Sequence, residues 1–112
     1  MKERTYLGEF EQIVLWTVLR MGGDGYGATI LEQLNQRIDR RASPGALYAT
    51  LDRLEEKRMI VSRLADPEVG RGGRRKRYMT VTVAGRSELA RLRTEWTYMW
   101  EGMDAALGAN EP

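Results

Sequence analysis

Residues 71–77, RGGRRKR, place five basic side chains in seven positions, and no Asp or Glu occurs between Val69 and Ser87. Side chains of this type at this density suit one kind of chemistry. Arg and Lys neutralise phosphates, and the N–H groups of a glycine-rich turn can add hydrogen bonds to the same oxygens. Arg71, Arg74, Arg75, Lys76, Arg77 and Arg86 put six positive charges into residues 69–87; with a whole-chain net charge of +2, the remainder stands at −4. An acidic body with one concentrated basic segment points to a local anionic partner rather than to general adhesion. The run is either a solvated charged tip or a phosphate grip, and the flanking elements decide which.

Other chemistries are poorly provided for. The chain has no Cys and no His, which removes thiolate nucleophiles, disulfides, the commonest general base and the commonest transition-metal ligand. No paired carboxylates stand out, so no enzyme, no metal and no cofactor is expected. The opening MKERTYLGEF lacks an apolar signal region, and the run IVLW is far too short to span a bilayer. The expected location is the cytoplasm, with no membrane partner. Hydrophobic residues make up 42% and charged residues 30% of 112 positions, a composition that folds, with length for one modest core.

The elements that must position the basic run follow from periodicity. Residues 7–21 predict a helix in which Phe10, Ile13, Val14, Val18 and Met21 share one face. Leu15, Trp16 and Leu19 are apolar on another side, so the helix needs cover all round, and part of that cover is assigned to a second chain through Leu15 and Leu19. GGDG at 22–25 breaks the helix. Gly23, Gly25 and Ala28 fit a dinucleotide-loop pattern weakly, but a helix rather than a strand precedes them, so the segment reads as a helix–helix connection. Tyr26, Ile30, Leu34 and Ile38 recur every four residues in a second helix. Ser43 then suits an N-cap and Pro44 the first helical position, opening a third helix with Leu47, Leu51 and Leu54 buried. Three short helices in succession, the third with a small, nearly uncharged tip, suggest a helix-turn-helix.

Residues 59–66 and 74–82 are rich in β-branched residues with partial alternation and flank the glycine-bearing PEVGRGG, which reads as a hairpin. The basic run is thus its tip and return strand, and a helix-turn-helix followed by a basic hairpin is a winged helix. From Thr82 to about Leu107 the pattern is helical again. Leu89, Leu92, Trp96, Met99, Met103 and Ala106 follow the 3-4 spacing of a coiled-coil seam, and Trp100 widens it. The expected fold is mainly α with a small β-hairpin: a winged helix-turn-helix over 1–82, then a C-terminal dimerisation helix and tail over 83–112.

The stretches LGEFEQIVLWTVLR, DGYGATILEQL, GALYATLDRLEEKRMI and GRGGRRKRYMTVTVAGRSEL, followed by the Trp-bearing terminal segment, resemble the PadR family of transcriptional regulators, in its compact branch. They run in the family's order over nearly the whole chain. The resemblance implies a DNA-binding homodimer, made largely by the C-terminal helix with help from the first, acting as a repressor in bacteria. Many members have Pro where this chain has Ala49, which leaves the groove-facing surface smaller. Many have Gly where this chain has Arg58, which demands another helix cap or about 1–2 kcal/mol of left-handed strain.

Candidate DNA contacts are Ser43, Gly45 and Ala46, with backbone N–H groups at a helix start, then Tyr48, Ala49 and Arg53 on the third helix, and Arg71, Arg74, Arg75 and Lys76 in the wing. Tyr48 either donates its hydroxyl to a phosphate or packs on its own domain. Arg53 either reaches DNA or pairs with Asp52 or Glu56. The candidate dimer interface is Leu15, Leu19, Leu92, Trp96, Met99, Trp100 and Met103. Some compact relatives hold flat apolar compounds between interfacial Trp side chains. The resemblance therefore makes Trp96 and Trp100 candidates for a small aromatic ligand's pocket, beside the plain alternative of interface packing. A dimeric adaptor using the winged fold for protein contact is the competing function, and the acid-free Arg-rich wing weighs against it.

Overall fold

A computed structural model describes residues 6–66 and 75–108. Helix α1 spans Glu9–Arg20, a short strand β1 Gly25–Tyr26, α2 Gly27–Arg37, α3 Pro44–Glu56, β2 Ile60–Leu64, β3 Arg77–Val81 and α4 Val83–Trp100. The strands form one antiparallel sheet in the order β1-β3-β2, with Tyr26 opposite Tyr78 on one side of β3 and Arg63 opposite Tyr78 on the other. Strand β1 takes Gly25 from the expected helix–helix connection and Tyr26 from the expected start of the second helix. Two residues are too few to show the alternation that marks a strand.

Helix α1 is the centre of the core. It packs against α2, α3, α4 and β3, and Val14, Leu15 and Val18 are at most 1% exposed. This corrects the assignment of Leu15 to a chain–chain interface. The all-round apolar pattern is satisfied by four elements of its own chain. Leu19 is half-buried against the same core, so it too serves the chain's own packing first; Trp16, 41% exposed, is the exposed apolar residue of this helix.

The start of α1 is clasped to the end of α3. Glu11 accepts a hydrogen bond from the Gly8 N–H (2.8 Å) and, on both oxygens, from Lys57 Nζ (2.8 and 2.9 Å), which also donates to the Tyr6 carbonyl. Burial pushes the Glu11 carboxyl up, but the bonds from Lys57 and Gly8, with the charges of Lys57 and Arg53, outweigh it and hold its pKa below the usual glutamate value. A depressed carboxylate contributes stability above its unfolded pKa and loses it as pH falls through the folded one, so the clasp is at full strength at neutral pH.

Asn35 fixes the turn from α2 to α3: its Oδ1 accepts from the Ala42 N–H (2.9 Å) and its Nδ2 donates to the Ala42 carbonyl. Helix α3 opens as the sequence predicts, with Ser43 Oγ accepting from the Ala46 N–H (3.1 Å) and Pro44 at the first position. Its end solves the Arg58 problem without a different cap. The Met59 N–H bonds to the Leu54 carbonyl (2.9 Å) and the Arg58 N–H to that of Glu55 (3.0 Å), while Leu54 and Met59 are both buried. This is the ordinary glycine-type helix ending, made here by an arginine at φ 61°. Arg58→Gly should therefore stabilise the fold by about 0.5–1 kcal/mol, the left-handed cost less the larger unfolded-state entropy of glycine. Urea unfolding at matched protein concentration measures it, and an unchanged midpoint would show that the arginine side chain compensates the strain.

Helix α4 begins at Thr82, whose Oγ1 accepts from the Gly85 N–H (3.0 Å) and donates to the Arg58 carbonyl (2.7 Å). It ends at Trp100, seven residues short of the expected Leu107. Glu101 turns to extended backbone (ψ 128°) and Gly102 takes φ +76°, after which turns run through residues 104–108. The seam is consequently divided. Leu89 and Leu92 are buried in the chain's own core, which corrects the interface assignment of Leu92, whereas Trp96, Met99 and Trp100 are 57%, 69% and 51% exposed. Met103, 46% exposed, lies beyond the helix.

Candidate nucleic-acid interface

The outward face of α3 matches its expected composition. Leu47, Thr50, Leu51 and Leu54 are buried, leaving Gly45, Ala46, Tyr48, Ala49, Asp52 and Arg53 exposed. Ser43 is exposed too, but its hydroxyl holds the Ala46 N–H. The Ala46 N–H is thus held by the cap, which corrects the expectation that it is open to a phosphate.

Tyr48 packs on its own domain and remains half exposed. It is 50% exposed, yet its ring rests on the first turn of α2. A Cβ added at Gly27 would lie 2.3 Å from Tyr48 Oη and 2.6 Å from Cε1. Only glycine lets the tyrosine sit there, which gives a physical reason for the Tyr26–Gly27 pair. Arg53 donates to Thr50 Oγ1 (3.0 Å) and its acidic neighbour is Glu11 at 4.0 Å, rather than the expected Asp52 or Glu56.

Across from Tyr48 stands the root of the wing. Arg71 and Arg74 lie outside the described residues; Arg75 and Lys76 are described and exposed. The hairpin extends beyond its strands, because the Ala65 N–H donates to the Lys76 carbonyl (2.9 Å). A cleft of about 460 Å³ separates the wing root from the helices, lined among others by Tyr26, Gly27, Tyr48, Arg75, Lys76 and Tyr78. The first residues of α2, the middle of α3 and the basic strand thus border one basic cleft.

Two kinds of residue here escape sequence reasoning. Arg77, counted in the basic run, points to the other face of β3 and pairs with Glu55 and, at 3.6 Å, with Asp52 of α3. Glu55 also accepts from Ser62 Oγ (3.0 Å). Arg77 therefore fixes the wing to α3 and is not a free cation; period-two alternation along β3 was the available signal. The other kind is an aromatic group on the outer sheet face. Tyr26 and Tyr78 meet edge to face at 5.6 Å, with Lys76 Nζ over Tyr26 at 4.6 Å and the Arg63 guanidinium over Tyr78 at 4.8 Å. It depends on β1, which the sequence pattern does not show.

Trp96 and Trp100, one turn apart on α4, both face outward in the single chain. Among the described residues no helix is long and apolar enough to cross a membrane, and no group of three or more Asp and Glu could hold a metal ion.

Comparison with known proteins agrees with this geometry. Residues 15–91 match the model of the Transcriptional regulator PadR-like family. An uncharacterized protein of Lysinibacillus sphaericus is 32% identical over 99 residues, 87% of this chain and 86% of the relative. The crystal structure of a PadR family transcription regulator from hypervirulent Clostridium difficile R20291 superposes with a TM-score of 0.74 at 28% identity, covering 90% of this chain and 100% of that one. A PadR-like transcriptional regulator from Bacillus cereus shares the fold with a TM-score of 0.70 at 20% identity, over 88% and 90% of the two chains.

Proposed function

Since this chain belongs to the PadR-like family of transcriptional regulators and is a winged-helix DNA-binding regulator rather than an enzyme, we propose that it is a cytoplasmic homodimeric repressor of a near-palindromic operator. The observation that carries this reading is the outward face of α3, small and open from Gly45 to Ala49, set across one cleft from Arg75 and Lys76. In the proposed complex the two α3 helices enter successive major grooves. Tyr48 donates to a phosphate, Gly45, Ala46 and Ala49 allow close approach of the helix, and Arg53 extends the contact. Arg71, Arg74, Arg75 and Lys76 neutralise backbone phosphates beside it.

The second copy joins through the open half of α4. Beyond Leu92, its last buried residue, the helix continues to Trp100, a projection of about 12 Å, and Trp96, Met99 and Trp100 leave a large apolar surface exposed there. Met103 borders the same surface. Paired copies bring Trp96 and Trp100 of each chain together, a setting in which a flat apolar compound could alter the spacing of the reading heads and release the operator.

Enrichment of a random duplex pool tests the reading. The expected product is an inverted repeat whose half-site centres lie about 10–10.5 base pairs apart, or a multiple of that. Recovery of no enriched sequence, with negligible binding to random duplex at low salt, would favour the adaptor function instead.

A further inference from the structure

The cations stacked on the outer face of the sheet have no role in the contacts assigned so far, Lys76 apart. Arg63 sits on β2, in register with Tyr78 on the central strand, and its guanidinium lies 4.8 Å from the Tyr78 ring centroid. Tyr78 meets Tyr26, and Tyr26 carries Lys76. Lys76, Tyr26 and Tyr78 also line the cleft that Tyr48 of α3 borders. Arg63 therefore shares the sheet's outer face with Tyr26, Tyr78 and Lys76, which line this cleft together with Arg77 and Met79 of the opposite face. Arg63 is exposed, and among the described residues no acidic side chain pairs with it. That distinguishes it from Arg40, Arg53, Arg77 and Arg91, each of which has a carboxylate within 4.0 Å.

A guanidinium resting on an aromatic face keeps its N–H edges available and loses rotamer freedom before any ligand arrives. We infer that Arg63 is a DNA-phosphate ligand, held ready by Tyr78, and that the DNA contact runs from the wing root across the outer face of the sheet to β2. Arg63 lies eight positions N-terminal to the basic run, with Asp66 and Glu68 between, so charge clustering along the chain does not reveal it. Tyr78 is a positioning residue in this scheme, acting through Arg63. The inference rests on the DNA-binding reading above and adds to it a contact outside both the reading helix and the wing tip.

The test measures binding of the full chain to a random-sequence duplex across a salt series. Each phosphate contact removed lowers the slope of log K against log[salt] by about 0.9, so Arg63→Gln should flatten it by about 0.9 for each subunit engaged. Arg63→Lys should keep the slope, and Arg93→Gln, on α4, should leave it unchanged. In a Tyr78→Leu background the loss of affinity on Arg63→Gln should be smaller than in the unaltered chain, since the ring no longer orients the guanidinium. An Arg63→Gln protein with the unaltered slope, even if its melting temperature fell, would overturn the assignment and leave Arg63 a cross-strand packing residue. A chain that fails to bind duplex DNA at all would overturn the functional reading together with this one, so the two failures are told apart.

Discussion

Arg75→Gln combined with Lys76→Gln should flatten the salt dependence of DNA binding by about 3–4 units of slope, because a dimer loses up to about four phosphate contacts at about 0.9 each. Both side chains are exposed at the wing root, so their removal should leave the fold intact; Lys76 gives up only its place over the Tyr26 ring. The loss should be nearly the same on operator and on random duplex, since phosphates carry no direct sequence information. Tyr48→Phe is the useful contrast, because it removes one hydroxyl at about 0.5–1.5 kcal/mol per subunit and almost no slope. Binding measured in a salt series on both duplexes separates the outcomes. An unchanged slope would reduce the basic strand to solvated surface. A loss confined to the operator would mean that the wing reads bases or groove shape.

Trp96→Glu together with Met99→Glu should convert the proposed dimer to monomers at micromolar concentration. Two copies would bring four carboxylates into an apolar seam, where desolvating unpaired charges costs several kcal/mol each. Both positions are more than half exposed in the single chain, so the monomer should keep its helical content, which distinguishes dissociation from unfolding. Operator binding should collapse at the same time, since two reading heads no longer share one effective concentration. Analytical ultracentrifugation with circular dichroism gives both readouts. A double mutant that still sediments as a dimer would move the interface to another surface, with Trp16 the first place to look.

Much of the architecture is legible in the residues because local physics determines it. Ser43 and Pro44 mark the start of α3, and the Leu47–Leu51–Leu54 spacing gives its buried face before any partner is known. What escapes is set by contacts distant in sequence or by too little pattern. Leu15 reads as interface because the sequence shows that α1 needs cover all round, but not that four elements of the same chain supply it. Leu92 and Trp96 share one heptad pattern, and only the position of the core assigns the first to the chain and leaves the second open. Helix α4 stops at Trp100 although the side-chain spacing continues to Ala106, because backbone conformation ends a helix and apolar spacing does not. Strand β1 is two residues long, and the Tyr26–Tyr78 pair it creates is invisible without it. The Glu11–Lys57 clasp joins residues 46 positions apart, beyond any local rule.

Thr82 separates β3 from α4 by a single residue, and it is pinned to the end of α3, with its N–H on the Met59 carbonyl (3.0 Å) and its hydroxyl on that of Arg58. The central strand β3, the turn that ends α3 and the start of α4 therefore meet at Thr82. In a dimer assembled through α4, torque from that helix pair reaches the wing and α3 in the same movement. Among the described residues Thr82 alone stands between β3 and α4, so no long linker there separates the two movements. A regulator of the proposed kind would leave its operator in one piece, and its response to a signal would have the character of a catch releasing rather than of a hand loosening finger by finger.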